Sequence, residues 1–313
     1  MSSHVFKKVP TSRSTDEEVA INSVAGSCFG DTYYILTPNL SPDKEVVVLI
    51  HGIGSYSFQF ELMSHYLETQ GYCVLRYDLL GRGYSKFPTS GTDDGSSIFG
   101  ASGHVSQLRD LLIHLGITNR HYNIIAHSMG GALAALYIEQ YPSEVSALVL
   151  LSPAGLMDCG IFKFLKCCKC LHGLVKTSLR RTQEKAWRQD FYEHAGDSLQ
   201  LENDFVAKLQ TRSREQPTVF DAFWESVLHF PLYGLEPVVA SLTARHDMRV
   251  LLAWAAADTS VPYQPCFFRW RDPFLTARHP HFQCHVYEGA AHGFFVEKSD
   301  RVHADILKFL RTV

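Results

Sequence analysis

Residues 123–132 read Asn-Ile-Ile-Ala-His-Ser-Met-Gly-Gly-Ala: an apolar run ends at Ser128, Ala126 and Gly130 stand two before and two after it, and an Ala-rich helical stretch begins at once. In a strand, tight turn, helix context a serine is forced into strained backbone, with its hydroxyl held above the sheet. Small residues are needed on both sides because the two backbones nearly touch there. A serine hydroxyl is unreactive near neutral pH unless a base takes its proton as it attacks. The helix start behind it aims free N–H groups at the place where an oxyanion would form. Ser128 is therefore the candidate nucleophile and the backbone N–H of Met129 a candidate oxyanion donor. A serine that merely caps a helix is the alternative, and the preceding strand with its small flanks argues against it.

His292 follows Gly289-Ala290-Ala291, just past an apolar run that ends at Tyr287. Small residues let a loop bring an imidazole close to a serine, and an imidazole titrating near neutrality can accept and return a proton. His51 and His127 sit inside the same motifs and read as structural, His51 as loop scaffolding and His127 as a neighbour turned away from the nucleophile. His279, His281, Cys284 and His285 resemble metal ligands by type, but Cys284 and His285 would point to opposite faces of a strand. No G-x-G-x-x-G follows a strand and no Walker loop is present. The expected cofactor set is accordingly empty: no metal, nucleotide or flavin.

These groups need a scaffold. Val46–Ile50, Cys73–Asp78, Tyr122–His127 and Val145–Leu151 are apolar runs that alternate with helical stretches; Val105, Leu108, Leu111, Leu112 and Leu115 recur at helical spacing. Strands apolar on both faces and separated by helices predict an α/β fold, a mostly parallel, doubly wound sheet. Ligand sites in such folds lie at the carboxyl ends of the strands. The alternation stops after Pro153 and resumes at Arg249 with the strand Val250–Ala257, a strand Phe282–Tyr287 and a helix that gathers Val302, Ile306, Phe309 and Leu310 on one face. The sheet domain is thus assigned to residues 1–153 and 249–313, with 154–248 as an inserted helical cap. Residues 1–16 read as a frayed tail and 87–103 as a mobile loop.

At 313 residues, with 46% hydrophobic and 19% charged, the chain can bury a large core, and its net charge of −3 lacks the basic surplus of a nucleic-acid binder. The longest apolar run, Val250–Ala257, is far shorter than the roughly 18 to 20 residues of a spanning helix. The first residues lack an apolar signal segment, and Ser2 stands where myristoylation needs glycine. Eight cysteines are too few for a disulfide scaffold of this size. A reducing, cytoplasmic location is expected.

Five motifs in order carry a resemblance: His51-Gly52-Ile53-Gly54, Asp78-Leu79-Leu80-Gly81-Arg82-Gly83, His127-Ser128-Met129-Gly130-Gly131, Asp258-Thr259-Ser260-Val261-Pro262 and His292-Gly293. Together they resemble the α/β-hydrolase fold family, and within it the capped serine hydrolases of the esterase, monoacylglycerol lipase and carbon–carbon hydrolase types. Membership implies a catalytic Ser, acid, His set in that chain order. It assigns the acid to Asp258, 34 residues before His292, over Asp78, in a structural loop, and Asp272, in a charged cluster. It also assigns the second oxyanion donor to the N–H of Ile53. The usual G-x-S-x-G carries Ala126 at its first position. Glu297, in place of an aspartate, lies five residues after His292, which favours hydrolysis over acyl transfer.

The resemblance implies a carboxylic ester as substrate, with the apolar cap pointing to an acylglycerol or similar lipid. A carbon–carbon bond hydrolase or a capped serine peptidase would use the same three residues, and a ligand-binding member with negligible turnover is the non-enzymatic alternative. Residues 161–188 carry eight basic side chains against one acid. Ile161, Phe164, Leu165, Cys168, Leu171, Val175 and Leu179 recur near helical period there, an amphipathic pattern that suits either a cap lining a substrate tunnel or peripheral contact with an anionic membrane. Cys167, Cys168 and Cys170 read as packed thiols, with palmitoylation the alternative.

Overall fold

The computed structural model describes residues 31–36, 40, 41, 43–88 and 98–312. Strands β1 (Tyr34–Leu36), β2 (Val46–Ile50), β3 (Cys73–Tyr77), β4 (Tyr122–His127), β5 (Val145–Leu151), β6 (Arg249–Ala255) and β7 (Phe282–Tyr287) form one sheet in the order β1-β3-β2-β4-β5-β6-β7. All neighbours are parallel except β1, which runs antiparallel to β3 at the edge.

Alternation along the strands feeds two cores. Val46, Val48 and Ile50 of β2 enter the core on one face, with Leu148, Leu150, Val250, Leu252 and Trp254. Val47 and Leu49 enter the other, with Val149, Leu151, Leu251 and Ala253. Each fully buried aliphatic side chain contributes about 1.5–3 kcal/mol, so strands with no polar face are held in the centre of the sheet. The first core is covered by α2 (Ala101–His114), α3 (Met129–Gln140) and, later in the chain, Glu236–Thr243 and Tyr263–Thr276; the second by α1 (Glu61–Thr69) and the final helix, Ser299–Arg311.

Between β5 and β6 the described chain is helical: α4 (Gly160–Cys167), α5 (His172–Arg188), α6 (Gly196–Glu215), α7 (Thr218–His229) and α8 (Glu236–Thr243). Then follow α9 (Tyr263–Thr276), α10 (Phe294–Glu297) and α11 (Ser299–Arg311).

Register places the loops that matter along one edge. Ile50 pairs with Ala126, His127 with Leu151, Leu151 with Ala253 and Ala255 with Tyr287. The segments after β2, β4, β6 and β7 therefore leave the sheet side by side. Those segments begin at His51, Ser128, Ala256 and Glu288.

Three sequence expectations are corrected, and one strand had escaped them. The sixth strand stops at Ala255 because Ala256 and Ala257 turn, their N–H groups bonded to Tyr287 and Ala290 carbonyls. Edge strand β1, only three residues long, escapes periodicity arguments. Helix already begins at Ala101, inside the expected loop; residues 89–97 of that loop, and the expected tail, lie outside the described residues. The amphipathic stripe from 161 is broken between α4 and α5 by Cys168, whose φ of −100° and ψ of 62° are not helical. Within α4 itself Phe164 is half exposed while Leu165 is buried.

Candidate active site

Ser128 sits between β4 and α3 at φ 56° and ψ −123°, a conformation that costs an L-residue roughly 1–3 kcal/mol. Bonds on both sides hold it there: its N–H donates to the Leu151 carbonyl at 3.0 Å, and its own carbonyl accepts from Gly131 and Ala154, each at 2.9 Å. Gly130 explains the small residue after it. A Cβ at that position would stand 2.4 Å from the Ile50 carbonyl oxygen, so any side chain would push α3 off β2.

Asp258 and His292 meet after β6 and β7. The Nδ1–H of His292 donates to Asp258 Oδ2 at 2.7 Å, and Asp258 Oδ1 accepts the N–H groups of Ser260 and Val261 at 3.0 and 2.9 Å. All three side chains are buried. Burial opposes the imidazolium, but the charge of Asp258, its hydrogen bond and the charge of Asp190 outweigh it, so the His292 pKa stands above the ordinary histidine value. Ser128 and His292 line one cavity. Among the described residues no hydrogen bond joins Ser128 Oγ to the ring, a contact that in this kind of site often tightens only around substrate.

The N–H groups of Ile53 and Met129 find no acceptor among the described residues. Gly52 brings the Ile53 loop against the serine: a Cβ on it would lie 3.1 Å from Ser128 Cβ. His51 fixes that loop. Its Nδ1–H donates to the Gly52 carbonyl at 2.7 Å while Nε2 accepts from Leu79 N–H at 2.9 Å. Gly52 C=O and Ile53 N–H belong to one planar peptide, so the imidazole sets the direction of the Ile53 donor. Burial pushes the His51 pKa down to about 3, which keeps the ring neutral and able to accept. Arg82 adds a 3.3 Å bond from Nε to the Ile53 carbonyl.

The competing acids part company here. Asp78 is buried and accepts the N–H groups of Ser57 and Tyr84, each at 2.7 Å, tying two loops together; burial raises its pKa to about 6. Asp272 pairs with its neighbour Arg271 at the surface. The sequence reading of His127 needs correction. Its ring lies 4.3 Å from that of His292 and lines the same cavity; Nε2–H donates to the His292 carbonyl at 3.1 Å, and Gln59 approaches Nδ1 at 3.3 Å. Burial, with the charge of His292 next, pushes its pKa well down, so a neutral ring braces the His292 backbone. Its place directly before Ser128 was the available signal.

Asp190, just after α5, went unnoticed because it lies in no motif. Its Oδ1 accepts from Ser260 Oγ at 3.0 Å and its carbonyl from Gly293 N–H at 2.6 Å. Burial raises its carboxyl pKa to about 6. Glu297 accepts the N–H groups of Tyr192 and Glu193 at 3.0 and 2.7 Å, so residues 190–193 are stitched to the chain that carries His292.

The cavity measures about 330 Å³, within the range of ligand pockets. Ser128, His127, His292 and Ile53 form its floor, and α4 to α7 add Phe162, Leu179, Trp187, Leu209, Phe220 and Val227. Asp190, Gln59 and Gln183 are among its few polar side chains.

The profile of the serine aminopeptidase S33 family matches residues 41–299. The proline iminopeptidase of Lactobacillus helveticus is 30% identical over 299 residues, covering 90% of this chain and 94% of that protein. Monoacylglycerol lipase abhd6-A of Xenopus laevis is 28% identical over 152 residues, 48% of this chain and 42% of that protein, so the alignment spans less than half of the lipase. Among solved structures, an esterase from Exiguobacterium antarcticum superposes with a TM-score of 0.68 at 18% identity, covering 93% of this chain and 98% of the other.

Proposed function

The chain belongs to the serine aminopeptidase S33 family and has the α/β-hydrolase fold, and we propose that it is a serine hydrolase of apolar, lipid-like carboxylic esters. In this reading residues 154–248 are the cap. Ser128 Oγ attacks the ester carbonyl as His292 Nε2 takes its proton; Asp258 holds Nδ1–H and stabilises the imidazolium. The N–H groups of Ile53 and Met129 bind the oxyanion, each donor worth about 2.7–4 kcal/mol in the transition state. The imidazolium returns the proton to the departing alcohol oxygen. Water, deprotonated by the same ring, then releases the acid from the acyl-enzyme.

The observation that supports this most is the chamber itself: Ser128 and His292 open onto a cavity walled by aromatic and aliphatic side chains. An acyl chain gains by burial there. The full-length similarity to a proline iminopeptidase favours a second reading, a capped peptidase. Asp190 is the cavity's carboxylate for a substrate ammonium, and the aromatic and aliphatic walls around it weigh toward the ester.

Labelling with a fluorophosphonate, followed by kcat/KM for p-nitrophenyl esters of C2 to C16 acids and for prolyl-p-nitroanilide, tests both readings. Labelling of the wild type but not Ser128→Ala, with a sharp preference for one acyl length, is expected. Equal labelling of both proteins would remove Ser128 from the chemistry. Faster anilide than ester cleavage would replace esterase by peptidase.

A further inference from the structure

We infer that the outer face of α4 and α5 docks on an anionic lipid surface. The two helices share one inward cluster: Leu165 of α4 and Val175 and Leu179 of α5 pack with Trp224 and Leu228 of α7. Their opposite sides therefore turn outward together. On α5 Leu174, Arg181 and Lys185 stand at i, i+7 and i+11, a single stripe at helical period, and all three are exposed. On α4 and the turn after it Lys163, Phe164 and Lys169 are exposed as well.

Charge and apolar surface coincide there. Residues 161–188 hold a surplus of seven positive charges in a chain whose net charge is −3. Some of that surplus is spent internally: Lys176 pairs with Asp221 and Arg188 with Glu184 and Glu202. Lys163, Lys169, Arg181 and Lys185 have no ion-pair partner among the described residues. Between them Leu174 is 72% exposed and Phe164 47% exposed. Basic side chains alone would suit any polyanion. Large apolar side chains left this exposed among them suit a surface that has both phosphate and hydrocarbon.

The basic face continues past Arg181. A surface groove holding Arg180, Arg181 and Arg214, with Glu184, shares Gln183 and Trp187 with the cavity that Ser128 lines. Head-group contacts on this side are thus one side-chain layer from the chamber proposed to receive apolar chains. The docking itself does not depend on Ser128 acting as a nucleophile.

Co-sedimentation of the full chain with phosphatidylcholine vesicles, and with vesicles containing about 30% phosphatidylserine, tests the inference. Binding to the anionic vesicles at least about tenfold above neutral ones is expected, falling away near 0.5 M NaCl as the charges are screened. The exposed quadruple variant Lys163→Glu, Lys169→Glu, Arg181→Glu, Lys185→Glu should lose that binding while keeping its melting temperature and its rate on a soluble p-nitrophenyl ester. Phe164→Ser with Leu174→Ser should weaken binding with the charges intact. Equal binding to both vesicles, retention by the quadruple variant, or capture by duplex DNA with none by vesicles would each overturn it.

Discussion

The backbone N–H of Gly293 donates to the carbonyl of Asp190 at 2.6 Å, so the residue after the candidate base is bonded to the end of α5. Through Ser260 the Asp190 side chain also reaches the loop of Asp258. One residue of the helical insertion thereby bonds to the loops that carry both Asp258 and His292. Its negative charge raises the His292 pKa. The base must be neutral to accept a proton, so a raised pKa moves the acid limb of activity upward in pH. Asp190→Asn keeps a partner for Ser260 and removes the charge. The acid limb of kcat/KM should then shift to lower pH; an unchanged or higher limb would show that Asp190 does not act on the ring.

Gly293→Ala probes the same contact by bulk. The added methyl would lie 2.9 Å from the Asp190 carbonyl oxygen, closer than real Cβ contacts allow, and this oxygen is backbone. Displacement of either strand of chain misplaces the imidazole, and misplacements near 1 Å cost about 100-fold. We expect kcat to fall about 10- to 100-fold, with labelling of Ser128 slowed in parallel. A wild-type labelling rate would mean that the His292 loop tolerates the shift.

The two buried aspartates should fail differently. Asp258→Asn leaves an oxygen for the ring but favours the wrong tautomer, and kcat should drop by about 10⁴ with the fold intact. Asp78→Asn still accepts one of the Ser57 and Tyr84 N–H groups and leaves the other unpaired, which costs about 1–3 kcal/mol. Chemical denaturation should register that loss, and the folded fraction should label at the wild-type rate. Reversed phenotypes would exchange their roles.

His51→Phe preserves volume and removes both the Gly52 and Leu79 bonds. With the Gly52–Ile53 peptide released, the proposed oxyanion donor loses its direction. A fall of about 10- to 100-fold in kcat, with KM near that of the wild type, is expected from partial loss of one donor. A change confined to KM would instead place His51 in substrate binding.

How much of this is legible in the sequence follows from the range over which each signal acts. Ser128, with Ala126 and Gly130, is a local pattern: strand, turn and helix are contiguous, and the strained φ of 56° is what small flanks permit. Asp258 and His292 are 34 residues apart, and their pairing was legible only through the resemblance of the motifs; the structure brings them together because β6 and β7 are neighbours. His127 was misread because one residue cannot announce which way its ring turns; the 4.3 Å contact with His292 depends on a loop 165 residues away. Asp190 gave no signal, since its partners at 260 and 293 lie beyond a break in any periodicity. The amphipathic stripe from 161 failed twice: Phe164, inside α4, is left half exposed, and at Cys168 a turn resets the helical phase.

The bonds from residues 190–193 to Ser260, Gly293 and Glu297 also bear on how enzymes of this shape diversify. Exchanging the stretch between β5 and β6 for that of a relative would alter which compounds fit, and would carry along a carboxylate that adds to the effect of Asp258 on the acidity of the ring. Chimeras of this kind should inherit a new pH–rate profile together with their new selectivity, even where Ser128, Asp258 and His292 are untouched.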